Sequence, residues 1–119
     1  MNLNDNIRNF RRFRNMSQAD LAKSVSKSKS VISHWESGEN SPDLDSCEKL
    51  CNVLKVTPNQ LFGWEDNPEY VEHVRRLNEI QTKIDEINNQ IDALHQEIEF
   101  LEMQKYQEQN PFVDDDSEV

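Results

Sequence analysis

The sequence predicts an all-α protein in which five short helices form a bundle over residues 1–63 and one long helix follows. Three observations carry this. Glycine occurs only twice and β-branched runs are rare, while apolar residues recur three and four positions apart. Each apolar cluster is preceded by a residue type that caps helices: Asn4, Ser17, Ser28, Asp43 and Thr57. From Leu77 to Leu101 the gaps between apolar residues alternate between three and four without a break, the repeat of a coiled-coil seam.

The first helix is expected over 4–15, capped by Asn4, with Ile7 and Phe10 in the core. Asn15 is its left-handed stop, because Asn tolerates that conformation better than most residues. The second runs from Ser17 to about Val25 and turns Leu21, Ala22 and Val25 to one face. Ser26-Lys27 is a tight turn. Ser28 caps the third helix, which buries Ile32 and Trp35 and ends at Gly38. After a loop over 39–42, Asp43 caps a fourth helix expected to bury Leu44, Cys47, Leu50, Cys51 and Leu54. Thr57 followed by Pro58 at the first helical position opens a fifth, ending near Phe62.

Residues 64–69 read as a hinge, 70–109 as a coiled-coil helix and 110–119 as an acidic, disordered tail. In the seam Leu77, Ile84, Ile91 and Ile98 take position a, and Ile80, Ile87, Leu94 and Leu101 take d. One helix cannot bury its own stripe, so the segment calls for a second copy, a homodimer with a tetramer left open. Lys83 attracts Glu97 in an antiparallel pair, and Glu97 repels Glu102 in a parallel one; this one pair against one tilts the reading to antiparallel without deciding it. Phe100, Met103 and Tyr106 lie off the seam.

The net charge of −10 at first argues against a nucleic-acid partner. The charge is divided, however. Residues 1–64 carry nine Lys/Arg against seven Asp/Glu, net +2, and residues 65–119 carry four against sixteen, net −12. Between Arg8 and Lys29 lie seven basic residues and one acid, Asp20. Such asymmetry points to a nucleic-acid-binding module joined to a separate acidic one.

No apolar run is long enough to span a membrane, and no apolar signal segment opens the chain, so the expected location is the cytoplasm. Cys47 and Cys51, four apart on one helix, read as small core residues; without further Cys or a nearby His they make no zinc site. Neither a metal nor another cofactor is expected. His34, His73 and His95 are scattered, with no nucleophile-base set or phosphate-cradling loop, so an enzyme is not expected.

Residues 17–38, SQADLAKSVSKSKSVISHWESG, form two helices about a tight turn with polar residues at the front of the second. With Ile7, Phe10, Arg11, Met16, Pro42, Leu50, Leu54, Val56 and Leu61-Phe62 in order, the first half of the chain resembles the phage-repressor (Cro/XRE-type) helix-turn-helix family. The resemblance implies a five-helix, lambda-repressor-like domain that binds double-stranded operator DNA, commonly as a dimer on two half-sites. Three positions depart from the family pattern. Ser26 stands at a usual glycine, Lys27 at a usual apolar residue, and Lys55 at the glycine that usually ends the fourth helix. Ser26 is expected to adopt a strained conformation, at a cost on the order of 1 kcal/mol, or the turn to adjust.

The resemblance also assigns roles. The front of the third helix enters the major groove, so Lys29, Ser30, Ser33 and His34 are expected at base edges, where Lys donates to guanine and Ser and His donate or accept. Gln18, Ser28, Asn40 and Ser41 are expected at backbone phosphates. Arg11 and Glu36 pair within the domain and serve structure. Arg8, Arg12, Arg14, Lys23 and Lys27 supply diffuse positive field.

The expected function is therefore a sequence-specific DNA-binding transcription regulator, a repressor in the leading reading, joined as a dimer through residues 77–101. The alternative is an antitoxin-like or adaptor protein whose acidic helix binds a regulatory protein partner.

Overall fold

The structure is a computed structural model describing residues 2–111. Among the described residues it contains six helices and no strand: α1 (Leu3–Phe13), α2 (Gln18–Ser24), α3 (Lys29–Ser37), α4 (Leu44–Leu54), α5 (Pro58–Leu61) and α6 (Pro68–Gln109). Residues as far as Val74 form one compact unit, and those from Arg75 on a second. Of the tail expected over 110–119, all but Asn110 and Pro111 lies outside the described residues.

Local chemistry sets the helix boundaries of the first unit. Ser17 and Asp20 form a reciprocal capping box on α2, and Thr57 and Gln60 form one on α5. Asp43 accepts from the Ser46 amide at 2.8 Å to cap α4, and Ser28 accepts from Val31 to cap α3. Each cap pairs an orphan backbone donor and contributes about 1 kcal/mol. The first helix is capped by Asn2, not Asn4: Asn2 Oδ1 accepts from the Asp5 amide at 3.0 Å. Asn side chains at positions 2 and 4 are chemically equivalent as caps, so the sequence alone does not choose between them. Helices α1, α2 and α4 each lead to a left-handed residue that is not glycine, namely Asn15, Ser26 and Lys55, with φ of 58°, 59° and 58°. Of the two outcomes expected at Ser26, the turn thus takes the strained left-handed one.

The core draws Ile7 and Phe10 from α1, Leu21 and Ala22 from α2 with Val25 beyond it, Ile32 and Trp35 from α3, and Leu50, Cys51 and Leu54 from α4, closed by Val56 and Leu61. Buried Asn6 anchors α1 to α5 by donating from Nδ2 to the Leu61 carbonyl at 2.8 Å. Leu44 corrects the expectation for α4, being 84% exposed. It shares the face of Cys47 and Cys51 but sits in the first turn, past the end of the core, where it lines an open groove with Val56, Pro58 and Phe62. Burial pushes the thiols of Cys47 and Cys51 up from their ordinary value, and both are free.

The stretch expected to be a hinge is structured at its end. Asn67 Oδ1 accepts from the Tyr70 amide at 2.8 Å, which caps α6 with Pro68 as its first residue. Tyr70 meets Phe10 and Phe13 edge-on, at ring-centroid distances of 5.2 and 5.4 Å. The opening turns of α6 therefore belong to the first unit. In the second unit α6 continues unbroken to Gln109, and no residue of the helix is fully buried.

Candidate nucleic-acid interface

Helix α3 is amphipathic in the sense a groove-reading helix requires. Ile32, Trp35 and Glu36 are buried, whereas Lys29, Ser30 and Ser33 are exposed and His34 is half-exposed. Offsets of one, four and five from Lys29 set the four polar side chains on one face, opposite the buried one. That front presents Lys, hydroxyl and imidazole groups together to solvent. His34 Nε2 also stands 3.7 Å from Glu39 Oε2, so the acid just beyond α3 reaches the edge of this face.

The buried face is held by charge. Arg11 donates from Nε to Glu36 Oε2 at 2.6 Å and from Nη2 to Oε1 at 3.0 Å, and from Nη1 to the Met16 carbonyl at 2.8 Å. Glu36 is 3% exposed and Arg11 8%. Burial alone would push the Glu36 carboxyl up. Hydrogen bonds from Arg11 and Gln18 and the charges of Arg11 and Arg8 outweigh it and hold the group below its ordinary value. Helix α1 is thus locked to α3, which fixes how far the polar front stands out of the domain.

The positions expected at phosphates are spread around this front. Gln18 opens α2, and its Nε2 donates to Glu36 Oε1 at 3.1 Å, which ties it to the buried carboxylate. Ser28 is the N-cap of α3, its hydroxyl oxygen accepting from Val31. Asn40 and Ser41 are exposed beyond α3, and the Asn40 amide donates to the His34 carbonyl.

Two arginines assigned to diffuse positive field have specific partners instead. Arg8 Nη2 donates to the Glu36 carbonyl at 2.8 Å, and its Nε lies 3.8 Å from Glu36 Oε1. Arg14 donates to the carbonyls of Leu54 and Lys55, pairs with Glu69 at 2.7 Å and lies over the Phe13 ring. Arg14 therefore ties α1 to the end of α4 and the start of α6. Arg12, Lys23 and Lys27 remain exposed.

Among the described residues no group of three or more His, Cys, Asp or Glu is placed to hold a metal ion, and no helix is long and apolar enough to cross a membrane.

Comparison with known proteins gives a consistent result. A family model described as helix-turn-helix matches residues 7–61. Among curated relatives, the HTH-type transcriptional activator BcrR of Enterococcus faecalis is 30% identical over 66% of this chain and 38% of its own length. The 26 kDa repressor protein of Escherichia phage HK022 is 38% identical over 52% of this chain and 27% of its own. The cryptic phage CTXphi transcriptional repressor RstR of Vibrio cholerae is 29% identical over 68% of this chain and 72% of its own. The chain thus spans well under half the length of the first two. Among solved structures, the P22 c2 repressor, crystallised with a synthetic operator, superposes with a TM-score of 0.52 at 29% identity, over 55% of this chain and 98% of that one. The solution structure of the P22 c2 DNA-binding domain gives 0.50 at 31% identity, over 51% and 80%.

Proposed function

Since this chain belongs, through residues 7–61, to the helix-turn-helix family of phage repressors and transcription regulators, we propose that it is a sequence-specific regulator that represses transcription from paired operator half-sites. Lys29, Ser30, Ser33 and His34 read base edges in the major groove. Gln18, Ser28, Asn40 and Ser41 set the register on the phosphates, and residues 77–101 join two copies. The protein acts in the cytoplasm, has no catalytic role and needs no cofactor. The observation that carries this reading is the α3 front: four polar side chains share one exposed face while the opposite face is pinned by Arg11–Glu36. A polar-fronted helix held rigidly outward suits recognition, because reading bases requires donors and acceptors fixed in place.

The test is a selection of bound duplexes from a random pool, followed by titration of the selected and scrambled sequences at several salt concentrations. Specific recognition gives one enriched motif with two-fold repetition, and an affinity for it at least about 1,000-fold above scrambled DNA. Equal binding to both would end the proposal.

A second reading rests on a separate observation. Phe100, Met103 and Tyr106 are 60%, 64% and 54% exposed on α6, away from the seam and beside Glu99 and Glu102. Solvent does not favour such a stripe, and its acidic rim suits a regulatory protein with a basic edge. If that reading is right, substituting all three by Ser leaves DNA binding intact and abolishes regulation in cells.

A further inference from the structure

The seam of α6 is uncovered along its whole length. Its eight residues, Leu77 to Leu101, are each between 42% and 56% exposed. Resting on the self-association proposed above, we propose that the second copy lies antiparallel on this seam, with Lys83 of each copy against Glu97 of the other.

Charge along the seam-bearing stretch, residues 75–102, runs from basic to acidic. Residues 75–83 hold Arg75, Arg76 and Lys83 against a single acid, Glu79, which pairs with Arg75 one turn away. Residues 92–102 hold Asp92, Glu97, Glu99 and Glu102 and no Lys or Arg. A parallel pair lays acid on acid and base on base. An antiparallel pair lays the basic start of one seam on the acidic end of the other, and it also opposes the two helix dipoles.

The flanking positions agree. In a parallel pair each g residue faces the e residue five places on, so Glu97 meets Glu102 twice across the twofold axis, and Lys83 meets only Asn88. In an antiparallel pair centred between Ile87 and Ile91, g faces g, so Lys83 meets Glu97 twice and Gln90 meets Gln90. No acid then faces an acid. Among the described residues, Lys83, Glu97 and Glu102 form no ion pair, which leaves these charges to a second copy.

The continuation of the seam adds a further argument. Lys105 falls at a and Glu108 at d. A parallel pair stacks Lys105 on Lys105 and Glu108 on Glu108 at its core; an antiparallel pair stacks neither on itself. The apolar layers close without overhang in the antiparallel alignment: Leu77 on Leu101, Ile80 on Ile98, Ile84 on Leu94, and Ile87 on Ile91. The two Leu77 residues then lie about 36 Å apart along the pair.

Cysteine cross-linking of the full chain distinguishes the orientations. Ile84 stacks on Ile84 only in a parallel pair, and on Leu94 only in an antiparallel one. Under mild oxidation, Ile84→Cys alone is expected to give no linked dimer on a denaturing gel. An equal mixture of Ile84→Cys and Leu94→Cys chains is expected to give one, with the parent chain, whose own two thiols are buried, as the control. Linkage of Ile84→Cys to itself overturns the antiparallel arrangement and leaves self-association standing. A parent chain that sediments as a monomer at high concentration removes the self-association reading, and this proposal with it. Glu97→Lys supplies an independent sign. The antiparallel pair loses affinity by several-fold and recovers it when Lys83→Glu is added to the same chain, whereas tighter pairing of Glu97→Lys overturns the proposal.

Discussion

Arg11 grips the Glu36 carboxylate with two N–H donors, Nε on Oε2 at 2.6 Å and Nη2 on Oε1 at 3.0 Å, and both residues are buried. The pair spans 25 residues of sequence and holds α1 against the back of α3, so the angle of the polar front depends on it. Removing one partner leaves a desolvated charge behind. Arg11→Met alone is expected to lower unfolding stability by about 3–5 kcal/mol, while the double variant Arg11→Met, Glu36→Leu loses much less than the sum of the two single losses. Urea denaturation of the four proteins in the cycle measures the coupling. Additive losses would mean that the pair is not a unit.

Acid should act through the same carboxylate. The folded-state pKa of Glu36 lies below its ordinary value, because Arg11, Gln18 and Arg8 together outweigh burial. A depressed carboxylate contributes stability that is fully present above the unfolded pKa, about 4.3 for Glu, and is lost as pH falls through the folded value. Asp20 and Asp43 are lowered as well, each by hydrogen bonds at its cap, with Ser17 and Ser46 respectively, and act in the same direction. The urea midpoint is therefore expected to stay level from neutral pH down to about pH 5 and to fall steeply below about pH 4. Glu36→Gln should flatten that acid limb. An unchanged slope in the variant would remove Glu36 from the account.

Backbone strain gives a test of opposite sign. Ser26 and Lys55 hold φ near 60°, at the two positions where the family resemblance implies glycine. A side chain in that region costs roughly 1–2 kcal/mol, partly offset by the greater freedom glycine adds to the unfolded chain. Ser26→Gly and Lys55→Gly are each expected to stabilise by about 1 kcal/mol, and Asn15→Gly by less. Gly38 is the reverse case. Its φ is 85°, and an added Cβ would stand 2.8 Å from Asn4 Nδ2, so Gly38→Ala destabilises. Thermal unfolding of the four variants settles the order, and a stabilised Gly38→Ala would contradict it.

These positions also mark what the sequence made legible. Caps and stops are local chemistry, so Ser17, Ser28, Asp43 and Thr57 and the left-handed Asn15 could all be read from a few neighbouring residues, whereas the strain at Ser26 followed only from the family resemblance. The Arg11–Glu36 pair is not local, and only the family resemblance pointed to it. Arg8 and Arg14 escaped because their targets are backbone carbonyls 28 and 40 residues away, and a carbonyl leaves no trace in a residue pattern. Leu44 was misplaced because helical period identifies a face but not where the core beneath it ends. Tyr70 stood only as the first residue of the expected coiled-coil helix, with no partner assigned to it. Its contacts with Phe10 and Phe13 depend on tertiary packing that periodicity does not encode.

Lys29 is the sharpest test of the reading face. It is exposed in the first turn of α3, one residue after the Ser28 cap and four before Ser33. A lysine at a base edge and a lysine at a phosphate behave differently when truncated. Loss of a phosphate contact weakens binding to every sequence alike and lowers the slope of log affinity against log salt by about one. Loss of a base contact costs about 1–3 kcal/mol on the preferred sequence only, so discrimination at one base pair collapses while the slope barely changes. Lys29→Ala is expected to show the second pattern on the selected duplex and its single-base variants. Ile32→Val, which trims one methyl from the fully buried side of α3 at a cost of about 1 kcal/mol, controls for damage to the helix itself. If Lys29→Ala weakened all duplexes equally and reduced the salt slope, Lys29 would belong to the phosphates, and the base-reading role would pass to Ser30, Ser33 and His34 alone.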